Sequence, residues 1–171
     1  MICPSCATPN LPGAEECVWC QFALAAIDRS MAGTHVEGHL LNDCVSQICP
    51  RVLQTVPVEA TLGAAIARMV GQTVGAVLVT GKSGELVGIL TERDFLTRVA
   101  GAADFAQRRV RDYMTRDPET VGFTDPLAVA LAKMDLGGYR HLPVLEDGKP
   151  VGMVSMRDVL KHLLKLCQEF E

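Results

Sequence analysis

Apolar and polar positions follow one order twice along this chain, at an offset of 65 residues. Leu62, Ala65, Ala67 and Met69 fall over Leu127, Ala130, Ala132 and Met134, a helical face in each copy. Upstream, Val45, Arg51, Thr55 and Val56 coincide with Val110, Arg116, Thr120 and Val121. One residue drops out between Lys82-Ser83-Gly84 and Asp147-Gly148, after which the offset is 64. Val87-Gly88 then meets Val151-Gly152, Thr91 meets Ser155, and Arg93-Asp94 meets Arg157-Asp158. Each unit is predicted to be a lead-in segment ending in a short strand, a helix, two apolar strands joined by a Gly-containing hairpin, and a closing helix. The expected spans after the lead-in are 61–70, 76–80, 86–90 and 92–100 in the first unit, and 126–136, 142–145, 151–154 and 156–168 in the second. Thr91 and Ser155 stand where strand gives way to helix, and are N-cap candidates.

Composition adds the class. A chain of 171 residues with 49% hydrophobic and 21% charged residues can bury a core. Its net charge of -4 supplies no global basic field, so nucleic acid is disfavoured as a partner. Its apolar runs fall far short of the roughly 18–20 residues of a membrane span, and its first residues lack the basic and apolar regions of a secretory signal. A cytoplasmic protein without a membrane segment is the expectation. In a reducing compartment its seven cysteines read first as metal ligands or buried thiols.

Four of them form two Cys-x-x-Cys pairs, Cys3/Cys6 and Cys17/Cys20, separated by ten residues with the turn-forming run Pro9-Asn10-Leu11-Pro12-Gly13. Two residues between thiolates let one tight turn offer both sulfurs to one ion, and two such turns complete a tetrahedral shell. Such a shell leaves no open position for water, so the metal is structural. Zinc is the expected ion, with a rubredoxin-like iron centre as the alternative. The hairpin is too short to hold a core, so the metal supplies most of its folding free energy. No Lys or Arg precedes Arg29, and Glu15 and Glu16 flank the second turn, which argues against phosphate binding by the ribbon. Trp19, the only tryptophan, either packs on the ribbon or is an exposed anchor for a partner.

The segments Gly88-Ile89-Leu90-Thr91-Glu92-Arg93-Asp94 and Gly152-Met153-Val154-Ser155-Met156-Arg157-Asp158, with Tyr113-Met114-Thr115 and Arg140-His141-Leu142-Pro143-Val144, resemble the CBS-domain pair, or Bateman module, over residues 45–166. The whole chain resembles a bacterial arrangement of a zinc ribbon followed by such a pair. The resemblance implies an α/β (α+β) fold: a small N-terminal four-cysteine zinc ribbon (1–22), a connector (23–44), and a tandem CBS pair (45–103 and 104–171) with pseudo-two-fold symmetry. It also implies a non-catalytic regulator that binds an adenine nucleotide or another adenosyl ligand such as S-adenosylmethionine, forms a homodimer through its CBS modules, and meets a protein partner through the ribbon.

Without the family, a hydroxyl at an N-cap and a carboxylate three residues on form a capping box. Two copies in register point to a ligand. In CBS modules the matching aspartate holds ribose hydroxyls, which nominates Asp94 and Asp158, with Thr91 and Ser155 beside them. Arg93 and Arg157 lie where a guanidinium reaches phosphate or simply faces solvent. Before its first hairpin strand the second unit has Tyr139-Arg140-His141 where the first has Val74-Gly75-Ala76. The resemblance therefore groups Ser155 and Asp158 with Arg140, His141 and Thr55, and Thr91 and Asp94 with Thr120 and Thr115. The Asp158 site is expected to prefer a polyphosphate, the Asp94 site to be weaker or to take a less charged adenosyl group. His141 has a structural reading as well, and Thr55 and Thr120 one as plain strand residues.

Cys44, Cys49 and Cys167 lack pairing spacing and are expected to serve packing, Cys49 because it aligns with Met114, while Cys167, near the end of an amphipathic helix, has an exposed reading as well. His35, His39 and His162 are read as isolated surface or linker residues. The connector is expected to loosen around Gly33, with breaks at Gly38 and Asn42. Rival functions are a nucleic-acid-binding regulator using the ribbon and an iron-binding redox protein; an enzyme finds no open metal position or nucleophile–base pair.

Overall fold

The computed structural model describes residues 2–3, 5–11, 14–24, 35–50, 52–99 and 103–168; the stretch around Gly33, the side chain of His35, and Arg51 lie outside the described residues. In chain order the elements are α1 (His35–Asn42), β1 (Thr55–Pro57), α2 (Leu62–Gln72), β2 (Ala76–Thr80), β3 (Leu86–Thr91), α3 (Glu92–Asp94), β4 (Thr115–Arg116), β5 (Val121–Gly122), α4 (Leu127–Gly137), β6 (His141–Glu146), β7 (Lys149–Ser155) and α5 (Met156–Gln168). Helix and hairpin appear twice, as the repeat predicts. Gly38 is no break: α1 runs through it and ends at Asn42, whose side-chain amide donates to the Gly38 carbonyl at 2.6 Å.

The chain forms two compact units, one of residues 1–49, 121–140 and 154–171, the other of 50–120 and 141–153. They differ from the sequence repeats in two respects: residues 45–49 and 104–120 of the lead-in segments are exchanged, and residues 141–153, the hairpin of the second repeat, group with the first. In one unit Val110 N–H donates to the Ala60 carbonyl at 2.9 Å and Leu62 N–H to that of Arg108 at 2.8 Å, so the second lead-in clasps α2. In the other, Val45 N–H donates to Asp125 and Leu127 N–H to Asp43, both at 2.8 Å, so the first lead-in clasps α4.

In the unit holding α2, the sheet order is β1-β2-β3-β4. β1 runs parallel to β2, with Val56 opposite Val79, and α2 supplies the crossover that a parallel pair requires. β2–β3 and β3–β4 are antiparallel, with Leu78 opposite Ile89 and Ile89 opposite Thr115. β4 goes beyond the predicted elements, since two residues are too few to show alternation. Alternation along β2 serves two cores: Val77 and Val79 join Leu62, Ala65 and Met69 of α2 with Leu90 and Val110, while Ala76 and Leu78 meet Ile89, backed by Leu86 and Met153. Each fully buried Val or Leu side chain contributes about 1.5–3 kcal/mol. In the other unit α4 buries Leu127, Val129, Ala130 and Met134, and α5 buries Val159 and Leu166. Cys49 is buried as expected, whereas Cys44 is half-buried and Cys167 exposed.

The closing helix of the first repeat departs from the predicted 92–100 span. After the single α turn of α3 the chain widens into a π-helical turn, Phe95–Val99. Thr97 is the local cause: its hydroxyl donates back to the Arg93 carbonyl at 2.8 Å, competing with the backbone ladder.

Both crossover helices end on a left-handed residue, Thr73 (φ 54°) after α2 and Gly138 (φ 63°) after α4, and the next N–H of each, Val74 and Tyr139, returns to the Met69 or Met134 carbonyl at 3.0 Å. A β-branched residue is strained in that conformation and glycine is not. Thr73→Gly is therefore expected to raise stability by about 1 kcal/mol, measured as the chemical-denaturation midpoint. An unchanged or lower midpoint would show that the Thr73 side chain compensates for its backbone.

Candidate functional site

The two cysteine turns have one geometry. Cys3 N–H donates to Thr8 at 2.9 Å and Ala7 N–H returns to Cys3 at 2.8 Å, while Cys17 N–H donates to Phe22 at 2.8 Å and Gln21 N–H returns to Cys17 at 2.9 Å. Ala7 (φ 57°) and Gln21 (φ 58°) take the left-handed conformation that bends each turn. All four sulfurs lie within 4.8 Å of one another, with Cys3 to Cys20 and Cys6 to Cys17 each at 3.6 Å. A tetrahedral shell with metal–sulfur bonds of about 2.3 Å separates its sulfurs by about 3.8 Å, so these residues fit a four-thiolate metal site.

Electrostatics agree. Burial raises Cys17, but backbone N–H groups of Cys20 and Trp19 and the Asn10 amide outweigh it and lower the thiol to about 6. Desolvation, with Cys6, Cys3 and Cys17 alongside, pushes Cys20 up to about 12. Four sulfurs this close ionise together only around a cation. Trp19 is 79% exposed, as are Val18 and, at 80%, Leu11, so the tryptophan does not pack on the ribbon.

The two caps form as predicted. Asp94 Oδ2 accepts from the Thr91 N–H at 2.9 Å and from the Thr91 hydroxyl at 2.8 Å. Asp158 Oδ2 accepts the Ser155 N–H at 2.9 Å and the Ser155 hydroxyl, and Asp158 N–H donates back to Ser155 Oγ at 3.3 Å. Both bonds to each carboxylate land on Oδ2, and neither cap uses Oδ1. Asp94 is 6% exposed, the one buried charged residue among those described. A second matched pair sets the register of the halves: Glu92 N–H donates to the Gly75 carbonyl and Met156 N–H to that of Arg140, each at 3.0 Å. Position 75 thus corresponds to position 140, as the sequence alignment has it.

At Gly75 a Cβ would lie 3.2 Å from the Glu92 carboxylate and 3.3 Å from His141 Cε1, so His141 and Glu92 stand beside the first cap. Thr115 is registered opposite Ile89, two residues before Thr91. Thr120 is half-buried, and Arg93 and Arg157 are exposed. Thr55 lines a cleft of about 460 Å³ with Thr80, Ser83, Glu85 and Lys149; neither capped aspartate lines it.

His39 and His162 are not isolated. His162 Nε2 lies 2.7 Å from Asp43 Oδ2, and His39 Nδ1 3.2 Å from the same oxygen. Residues 43 and 162 are 119 apart, so no local pattern announces the contact. No described helix is long and apolar enough to cross a membrane.

Comparison with known proteins accords with this geometry. The chain is 40% identical over 119 residues to the CBS domain-containing protein CBSCBSPB5 of Arabidopsis thaliana, covering 68% of this chain and 21% of that protein. It thus spans about a fifth of the length of the Arabidopsis relatives it matches. It is 35% identical over 121 residues to an uncharacterized 17.7 kDa protein of Acidianus ambivalens, covering 70% of this chain and 73% of that one. Among solved structures it is similar to the CBS domain protein PAE2072 of Pyrobaculum aerophilum complexed with AMP, at 28% identity and a TM-score of 0.64 over 71% of this chain and 98% of that one. The CBS domain itself matches twice, over residues 45–101 and 110–165. With one capped aspartate inside each match, at the register its backbone repeats, this chain belongs to the CBS-domain family as a tandem pair.

Proposed function

We propose that this protein is a non-catalytic sensor of an adenine nucleotide or related adenosyl ligand, with a zinc ribbon that carries the signal to a protein partner. CBS-domain proteins are in general regulatory, and the similar PAE2072 binds AMP. The observation that carries the reading is the state of the two aspartates. Each cap engages its carboxylate through Oδ2 and does not use Oδ1, the oxygen to which we assign the ribose hydroxyls. A carboxylate held this way binds without paying again for its own ordering.

Charge separates the halves. Around Asp158 the sequence supplies Arg140 and Met156; at the corresponding places around Asp94 it supplies Gly75 and Glu92. A polyphosphate tail is favoured beside Asp158, with Arg140 and Arg157 in support. The Asp94 half, with Thr91, Arg93, Thr115 and Thr120 beside it, is the weaker of the two or takes a less charged adenosyl group. Exposed Val70, Leu96, Leu136, Leu160 and Leu164 on the helical faces support a homodimer of CBS modules. The exposed Val18 and Trp19 of the ribbon, beside Glu15 and Glu16, support a protein partner.

The test is thermal unfolding of the zinc-loaded full chain with AMP, ADP, ATP, S-adenosylmethionine and GMP. At 100 times its dissociation constant a ligand adds about 2.7 kcal/mol, which moves the midpoint of a chain this size by about 5–10 °C. A shift with an adenosyl compound and none with GMP is expected. Equal shifts with GMP, or none with any compound, would refute an adenosyl sensor.

A further inference from the structure

The residue one helical turn beyond each capped aspartate differs between the halves, and so does what it touches. In the first half this is Arg98, whose Nη1 lies 3.7 Å from Asp94 Oδ1 and donates to the Tyr113 carbonyl at 3.0 Å. In the second half the corresponding residue is His162, which turns instead to Asp43 at 2.7 Å, both side chains 14% exposed. Asp158 makes no ion pair among the described residues.

The lead-in segments explain the split. Asp43 corresponds, at the 65-residue offset, to Arg108. An anion at position 43 draws His162 away from its own aspartate. A cation at 108, which donates to the Tyr113 hydroxyl at 2.8 Å, offers Arg98 no such partner and leaves it facing Asp94. The oxygen that would receive a ribose hydroxyl is therefore open in one half and shared with a guanidinium in the other.

We infer that Arg98 is a specificity-determining residue: it holds the Asp94 half back, so that one adenosyl ligand per chain binds at Asp158. The inference rests on the adenosyl reading above. A carboxylate oxygen facing a guanidinium is a poorer acceptor for a neutral hydroxyl, because binding must first loosen an ion pair. Arg98 is about half exposed, so its effect is a graded one on affinity and leaves the fold intact.

Isothermal titration of the zinc-loaded full chain with AMP, repeated with S-adenosylmethionine, decides it. The native protein is expected to take one equivalent per chain, lost in Asp158→Asn and retained in Asp94→Asn. Arg98→Gln is expected to add a second equivalent, at least fivefold tighter than any residual second event in the native chain, and Asp94→Asn in that background to remove it. Arg98→Lys, which keeps the charge, is expected to stay at one. One equivalent in Arg98→Gln, or loss of the native equivalent in Asp94→Asn, would overturn the role of Arg98 and leave the adenosyl reading standing. Absence of binding in every variant and in the native chain would remove both.

Discussion

Asp158→Asn is expected to weaken AMP binding by about 100-fold or more while leaving the thermal midpoint of the free protein nearly unchanged. A hydrogen bond to a charged acceptor contributes about 1.5–3 kcal/mol, and two ribose hydroxyls on one carboxylate bring the loss to at least the 2.7 kcal/mol that corresponds to 100-fold. The choice of asparagine separates binding from folding. Its amide oxygen still accepts the Ser155 N–H that Asp158 accepts at 2.9 Å, so the start of α5 keeps its cap. Asp158→Ala removes that acceptor too and is expected to cost a further 1 kcal/mol or so of stability. An Asp158→Asn protein that binds AMP as tightly as the parent would move the ligand away from this cap.

Removing the metal is expected to unfold residues 2–24 and spare the CBS pair. The ribbon buries little besides Cys3, Cys17, Phe22 and Leu24, so packing alone leaves it unstable. Its cross-links are the sulfur pairs at 3.6 Å, which repel once ionised without a cation between them. Structural zinc in small domains contributes about 10–16 kcal/mol of apparent binding free energy, most of it spent on folding. Hydrogen exchange is the readout: chelation, or Cys17→Ser, should expose the Cys3, Cys17 and Gln21 amides now bonded within the turns, while Val77, Leu78 and Leu90 in the sheet of the first repeat keep their protection. Turn amides that stay protected without metal would show the ribbon folds on its own. Metal analysis of the same sample separates zinc from iron, since the shell suits either and iron would colour the protein.

The capped aspartates were legible because their chemistry is local. A hydroxyl, two intervening residues and a carboxylate after an apolar strand specify a capping box with no knowledge of the rest of the chain. The four-cysteine set was legible for the same reason, each pair closing over two residues. Other features depended on partners far away. His39 and His162 looked isolated because Asp43 reaches one across a helical turn and the other across 119 residues. Gly38 looked like a break because glycine weakens an isolated helix, yet a helix inside a fold is judged by its packing. Nothing before folding distinguished Arg98 from a solvated charge.

By itself the sequence determined the doubled order of helix and hairpin, the strand β2 at its observed bounds, both helix caps and the set of sulfurs available to a metal. These follow from hydrophobic period and short spacing, which act between residues within a few positions of one another. Only the tertiary structure decided that the lead-in segments exchange between the helices they clasp and that Trp19 faces solvent. It also decided that Arg98 answers to its own aspartate and His162 to Asp43. Each of these depends on which distant segment arrives beside a side chain, and that is settled when the two cores close and bring Asp43 or Arg108 to its place.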